Sequence, residues 1–263
     1  MKIYRWTLKE RQLKAFERLN YPVFLDRHDI EYYNIIESNL PFELSRENKK
    51  YIPTAMQKFL IWNLPAIKTC PFASKDCIDF CYARKAEIAY PDCLPCRERH
   101  YQESLTELFA DKMIVAITYY INTPSYKKAK NIDYRIHESG DFYSRVYVAA
   151  WLDIMETFLD IEKLHFIAYT KSFLFFIGID RPANFTLSGS IDNSTTPEQI
   201  ALCKELGIQT YVAIPEKDIL SGKTCIIATK KCGYDHKCLC NDCGKCRYCF
   251  MDHPGKTTIV AIH

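Results

Sequence analysis

The stretch Ile132-Asp133-Tyr134-Arg135-Ile136-His137 decides the fold class. Apolar and polar side chains alternate along it, the pattern of a β-strand with two unlike faces. It runs into Glu138-Ser139-Gly140-Asp141, a polar, turn-forming sequence. A helical pattern from Tyr147 to Leu159 follows, and then a second strand, Leu164-His165-Phe166-Ile167-Ala168-Tyr169. Strand, helix and strand in that order imply a crossover and hence parallel pairing.

The same alternation extends in both directions. Upstream, Phe59-Leu60-Ile61-Trp62-Asn63-Leu64-Pro65 reads as a strand feeding a loop, and residues from Arg97 to about Ile121 read as one long helix. Downstream come a short apolar helix or turn from Ser172 to Ile177, a strand at Asn184–Gly189 and a helix at Thr196–Leu206. A strand at Ile208–Ile214, a cysteine-rich loop and a last strand at Thr257–Ile262 complete the pattern. The expected architecture is α/β: a partial (β/α) barrel of about six mostly parallel strands, short of the eight a closed barrel needs. Leu8, Leu13, Phe16 and Leu19 fall at helical spacing, so residues 1–58 read as a helical N-terminal cap. Residues 59–263 form the barrel, with a Cys-rich, metal-binding insertion at 225–249.

Composition excludes several classes. Apolar residues at 48% and charged residues at 25% are those of a folded chain, not a disordered one. Lys and Arg (35) nearly balance Asp and Glu (32), so the net charge of +3 does not point to nucleic acid. No apolar run reaches the roughly 20 residues of a membrane span, and Met1–Trp6 carries no signal-peptide apolar block, so a cytoplasmic chain is expected. The 13 cysteines stand out, because in a reducing compartment cysteine serves metal or redox chemistry more than stapling.

Twelve of those cysteines fall into two blocks; Cys203 stands alone on an amphipathic helical pattern and reads as a core residue. In the second block, Cys240-x-x-Cys243-x-x-Cys246 presents three thiolates from one tight loop, with Cys225 as a remote fourth ligand, a pattern suited to a [4Fe–4S] cubane, with zinc, or disulfides and free thiols, as the alternatives. Cys232, Cys238 and Cys249 are also in reach. In the first block, Cys70, Cys77 and Cys81 come from one loop after the first strand. Three protein ligands leave one iron of a cubane open to a substrate or cofactor. The alternative is zinc, with Cys93 and Cys96 completing a tetrahedral site; these two can instead join surplus cysteines of the second block.

Loops after strand C-termini build the site in parallel barrels. The three-cysteine loop, Ser139-Gly140-Asp141, Thr170-Lys171-Ser172 and Ser188-Gly189-Ser190-Ile191-Asp192 occupy those positions in succession. Arg135, His137 and Lys171 are candidate polar contacts in the barrel mouth.

Cys70-x6-Cys77-x3-Cys81-Tyr82-Ala83, His137-x-Ser139-Gly140-Asp141, the Cys225–Cys246 cluster and the closing Ile259-Val260-Ala261-Ile262-His263 together resemble the phage "gene product 88" domain family over about residues 60–263. The layout is also similar to radical S-adenosylmethionine (SAM) enzymes. That resemblance implies an iron–sulfur enzyme, a transferase or oxidoreductase, with Cys70, Cys77 and Cys81 holding a [4Fe–4S] cluster whose open iron binds SAM. It implies that Phe80 packs near the adenine and that Ser139, Gly140 and Asp141 receive the methionine ammonium. The C-terminal block would be an auxiliary cluster, an electron donor would be a partner, and the substrate is not implied. Spacing departs from the superfamily's C-x3-C-x2-C, and Ser-Gly-Asp replaces Gly-Gly-Glu. Two other readings stand beside it. One is a zinc module binding nucleic acid or protein, motivated by the basic stretch Lys223–Arg247. The other is a non-catalytic iron–sulfur redox protein.

Overall fold

In the computed structural model, which describes residues 8–21, 41–48, 51–192, 194–215, 236–238, 247–248, 251 and 253–262, five strands lie side by side in chain order. They are β1 (Gln57–Trp62), β2 (Asn131–Ile136), β3 (Leu164–Thr170), β4 (Phe185–Ile191) and β5 (Gln209–Pro215). Two more, β6 (His236–Cys238) and β7 (Thr257–Ile262), complete the sheet, with β7 lying between β5 and β6. Every pairing is parallel. The count is seven rather than about six because a three-residue strand forms within the Cys-rich insertion.

Strands laid down in chain order, each joined by a right-handed crossover, put successive crossovers on one face of the sheet. That is the winding of a barrel; a doubly wound sheet reverses direction midway. The side chains agree. Leu60, Trp62, Ile132, Tyr134, Ile136, Leu164, Phe166, Ala168 and Leu187 join helical residues in one core. The opposite, inner face carries Phe59, Ile61 and Ile167 with Tyr51 and Tyr169 as a small separate cluster.

The helices are α1 (Glu10–Arg18), α2 (Lys75–Asp79), α3 (Tyr82–Ala89), α4 (Cys93–Ser104), α5 (Phe109–Asn122), α6 (Pro124–Lys128), α7 (Arg145–Thr157) and α8 (Pro197–Glu205). A 3₁₀ turn at Phe173–Phe176 lies between β3 and β4. The single long helix expected over Arg97–Ile121 is two. Helix α4 stops at Ser104, whose hydroxyl bonds the Tyr101 carbonyl and the Tyr143 hydroxyl, and Phe109 then turns into an aromatic cluster with Trp62, Tyr147 and Trp151.

Helix α5 is buried nearly all round, because it lies between the sheet and α1. Its Asp111 is buried and receives Arg11 Nη1 and Arg18 Nη1 of α1, each at 2.6 Å, while Arg11 also grips Asp153 of α7. Cys203 is fully buried on α8, as its amphipathic setting predicts. At the β1 edge, Ser45 makes a two-way backbone bridge with Ile61 at 3.2 and 2.8 Å, so residues 41–48 cover that edge.

Candidate functional site

The C-terminal ends of β1 to β4 converge on one mouth. Asn63, just past β1, organises the first two loops. Its side-chain oxygen accepts the backbone N–H groups of Glu138 (2.9 Å) and Ser139 (3.0 Å), and its carbonyl meets His100 Nδ1 at 3.0 Å. Leu64 and Ser139 then pair: Leu64 N–H donates to the Ser139 carbonyl at 2.9 Å, and the Ser139 hydroxyl donates to the Leu64 carbonyl at 2.8 Å.

Gly140 makes that closeness workable. Its φ is +84°, and a Cβ there would lie 2.6 Å from Leu64 Cβ and 2.6 Å from Thr69 Oγ1. Only glycine satisfies both the backbone angle and the contact. Ser139 and Gly140 thus fasten the β2 turn to the loop that carries Cys70.

Asp141, the next residue, is buried. Its carboxylate accepts the Thr170 hydroxyl at 2.5 Å, the Lys171 N–H at 2.8 Å and its neighbour Phe142 N–H at 2.7 Å. Burial outweighs these bonds and pushes its carboxyl up to about 6.

Cys70 and Cys77 lie within electrostatic range of this carboxylate, and Cys81 within range of both thiols. Burial, then the charge of Asp141, pushes the Cys70 thiol up to about 12, and Cys77 and Cys81 both lie within its electrostatic range. Burial also raises the Cys77 thiol, with Lys171 pulling it back. Cys77 is exposed; Cys70 and Cys81 are half-buried. Among the described residues no three His, Cys, Asp or Glu side chains stand at metal-holding spacing. Three thiols from one loop are the donor type that soft metals and clusters take.

The loop is anchored from the β4 side as well. Lys171 Nζ pairs with Asp192 at 2.7 Å and reaches the Ser190 carbonyl at 3.3 Å. Asp192 also accepts the Ser74 hydroxyl, and Ser74 caps α2 by accepting the Cys77 N–H at 3.0 Å. Burial works against the Asp192 charge, but hydrogen bonds from Lys171, Ser74 and Ser194 hold it well below the usual carboxylate range.

Other residues singled out from the sequence take different places. Phe80 is 66% exposed on the rim of the loop. His137 is not in the mouth. It is buried at φ +64°, stacked on Tyr147 and edge-on to Phe142, on the helix side of the sheet. Tyr147 accepts from Trp62 Nε1 at 3.0 Å, and its hydroxyl also lies 3.0 Å from His137 Nε2. The alternation that marks His137 as a strand-end polar residue breaks at its positive φ, which swings it into the core. Arg135 does face inward, between Tyr51 and Tyr169. Cys225, Cys240, Cys243 and Cys246 lie outside the described residues, as do Cys232 and Cys249.

Cys93 and Cys96 stand on α4, one turn apart. Cys96 Sγ is 3.8 Å from His100 Nε2, and His100 stacks on Trp62 at 4.0 Å. Arg97 of the same helix forms a buried pair with Glu87 at 2.9 Å, and Glu87 accepts the Ala66 N–H at 2.8 Å. Sequence reasoning missed Asn63, His100 and Ser74. For Ser74 a signal existed: a serine three residues before Cys77 in a polar segment is an N-cap pattern.

Fold and site together define a class: a parallel α/β protein, wound as an incomplete barrel, with a thiol-rich mouth at its strand ends. Comparison with known sequences narrows this. The chain belongs to the Gene product 88 family, a family of phage gene products whose sequence model matches residues 42–249. It is 31% identical over 114 residues to the "Gene 88 protein" of Mycobacterium phage D29. That match spans 39% of this chain and 42% of the relative. No solved structure matches. No helix among the described residues is long and apolar enough to cross a membrane.

Proposed function

We propose that this chain is a radical-SAM-like iron–sulfur enzyme. Cys70, Cys77 and Cys81 would hold a [4Fe–4S] cluster with one iron left for S-adenosylmethionine. Cys225, Cys240, Cys243 and Cys246 would hold a second cluster. One observation carries the reading: three thiols of one loop share the C-terminal mouth of a parallel sheet with a buried carboxylate, Asp141. A cluster held by Cys70, Cys77 and Cys81 would supply one-electron reduction to a sulfonium ligand, with the electron drawn from a separate donor.

The chain's own residues have definable tasks around that chemistry. Asp141, immobilised by Thr170 and the Lys171 N–H, offers a preorganised negative charge to an ammonium group. Lys171 is drawn onto Asp192, which keeps that cation from neutralising Asp141. The Ser74–Asp192 contact holds the start of α2, so Cys77 is delivered from a capped helix. The three thiols would draw closer on loading, and Cys70 would lose the proton that burial favours in the free chain. Phe80, exposed on the loop, is available to cover an adenine.

The test is anaerobic reconstitution with iron and sulfide, followed by reduction and addition of SAM. The expected result is bound iron and sulfide in equal amounts, visible charge-transfer absorbance, and an EPR signal that changes when SAM is added. Separate Cys70→Ala, Cys77→Ala and Cys81→Ala variants should lose the SAM-responsive signal. Zinc without sulfide, or a reduced cluster whose EPR spectrum ignores SAM, would overturn the proposal.

A further inference from the structure

Beside its apolar cluster the inner face of the sheet carries polar side chains, and among the described residues its charged ones are paired with one exception. Asp133 on β2 accepts Arg247 Nη2 at 2.8 Å and also the Gln57 side-chain amide. His165 meets the Thr186 hydroxyl at 2.8 Å, and Gln209 donates to Ser188 at 2.7 Å. Arg135 is the exception. It makes no ion pair with any carboxylate among the described residues.

Its surroundings are aromatic and neutral. The guanidinium lies 4.5 Å from the Tyr169 ring centre and 5.5 Å from that of Tyr51, and Nη1 donates to the Tyr51 hydroxyl. Its Nε is sealed from solvent with no hydrogen-bond partner. Glu138, a carboxylate in its electrostatic range, is engaged by Asn48 Nδ2 at 2.7 Å. Arg135 is half-buried with its Nε sealed, and a guanidinium partly withdrawn from water gains from a counter-charge that stacking on tyrosine only partly replaces.

Arg135 is also joined to the cysteine mouth. Tyr82 follows Cys81 directly, its hydroxyl donates to the Glu138 carbonyl at 2.5 Å, and both Arg135 and Cys81 lie in its electrostatic range. A molecule held by Arg135 would therefore lie near Tyr82, the residue that follows Cys81.

From this we infer that Arg135 anchors a small molecule bearing a carboxylate or phosphate group, held inside the barrel beneath the cysteine mouth. Planar guanidinium and oxyanion match as a two-pronged pair, which a lysine ammonium does not reproduce. That this ligand is the substrate rests on the enzymatic reading above. The anion site itself stands or falls without it, because the test uses neither metal nor SAM.

The experiment labels arginines of the full chain with phenylglyoxal and reads modification by peptide mass spectrometry. Sodium phosphate and sodium malonate are each compared with sodium chloride at equal ionic strength. At an anion concentration about twice its Kd, labelling of Arg135 should fall about threefold, while exposed Arg145 stays unchanged. Protection by phosphate alone assigns a phosphoryl ligand, and protection by malonate alone a carboxylate. Protection by both assigns an oxyanion site without preference. A second measurement uses Arg135→Lys and Arg135→Met. The protecting anion should raise the Tm of the native chain, the Lys variant should need on the order of tenfold more of it, and the Met variant should not respond. Equal Arg135 labelling in all three salts overturns the inference. So does an anion-induced Tm rise that survives in Arg135→Met.

Discussion

The Asp192 carboxylate at the end of β4 accepts the hydroxyl of Ser74, and Ser74 in turn caps the helix that carries Cys77. One side chain thus ties the cysteine loop of the first strand to the end of the fourth. Asp192→Ala should release this tie without disturbing the sheet. Losing the acceptor should cost about 1–2 kcal/mol. Amide exchange at Cys77 and Ile78 should accelerate, while exchange in β2 and β3 stays slow. Unchanged protection at Cys77 would show that the cap holds without Asp192.

Gly140 and Gly255 share a positive φ, +84° and +70°, but only Gly140 has neighbours where a Cβ would go. The pair separates backbone strain from steric conflict. Gly255→Ala should cost about 1 kcal/mol. Gly140→Ala adds a 2.6 Å clash with Leu64 and Thr69 and should cost about 2–4 kcal/mol in all. Denaturant midpoints measure both, and equal losses would contradict the packing argument.

These two positions also show what could be read before folding. Strands β2 to β5 and β7 are legible because alternation and β-branched or aromatic residues coincide with turn signals at their ends. Ser139-Gly140-Asp141 is legible as a strand-end turn, but its purpose is not. That Gly140 admits Leu64 and Thr69 depends on a contact spanning about seventy residues of chain. The α4–α5 break is hidden for the same reason. Helical periodicity continues through Leu105, and only the docking of Phe109 and Tyr143 stops the helix. Arg135 shows the limit most plainly, since its tyrosine partners Tyr51 and Tyr169 come from distant segments.

Burial makes the stability of this fold depend on pH through its histidines. It holds His137 down at about 3 and His100 and His165 at about 4. Each therefore stabilises the folded state fully above its unfolded value of about 6.5, and that stability is lost as pH falls towards the folded value. Asp133 and Asp141, both raised by burial to about 6, act oppositely: their contribution is present at low pH and is lost as pH rises through about 6. Between pH 6 and 4 three imidazoles oppose two carboxylates. The net expectation is a loss of about 1.4 kcal/mol per pH unit on acidification. His165→Gln, which can keep a bond to Thr186, should nearly flatten the profile of urea midpoints. A slope unchanged by that substitution would remove His165 from the account.

Asp111 is the buried acceptor for two α1 arginines, so it couples the N-terminal helix to the body of the protein. Asp111→Ala should leave Arg18 without its carboxylate partner and Arg11 with Asp153 alone. Because both arginines are partly exposed, the loss should be about 2–3 kcal/mol, below that of a fully buried pair. Limited proteolysis should cut within residues 8–21 before any site in β2. Cleavage spread evenly along the chain would mean that α1 does not unfold first.

The thiols of the mouth differ in environment, and the difference is chemical as well as geometric. Burial first, and then the charge of Asp141, pushes the Cys70 thiol up to about 12, whereas burial raises exposed Cys77 against the pull of Lys171. Thiolate, not thiol, attacks iodoacetamide, so in the metal-free chain Cys77 should alkylate on the order of ten times faster than Cys70. Asp141→Asn removes the neighbouring negative charge and should speed Cys70 severalfold and Cys77 by less, because Asp141 ranks second among the causes at Cys70 and last at Cys77. Lys171→Gln should slow Cys77 and spare Cys70. Peptide-resolved alkylation rates measure all three effects. If Asp141→Asn left Cys70 as slow as before, the carboxylate would not govern that thiol, and the electrostatic link between the β2 turn and the cysteine loop would be lost.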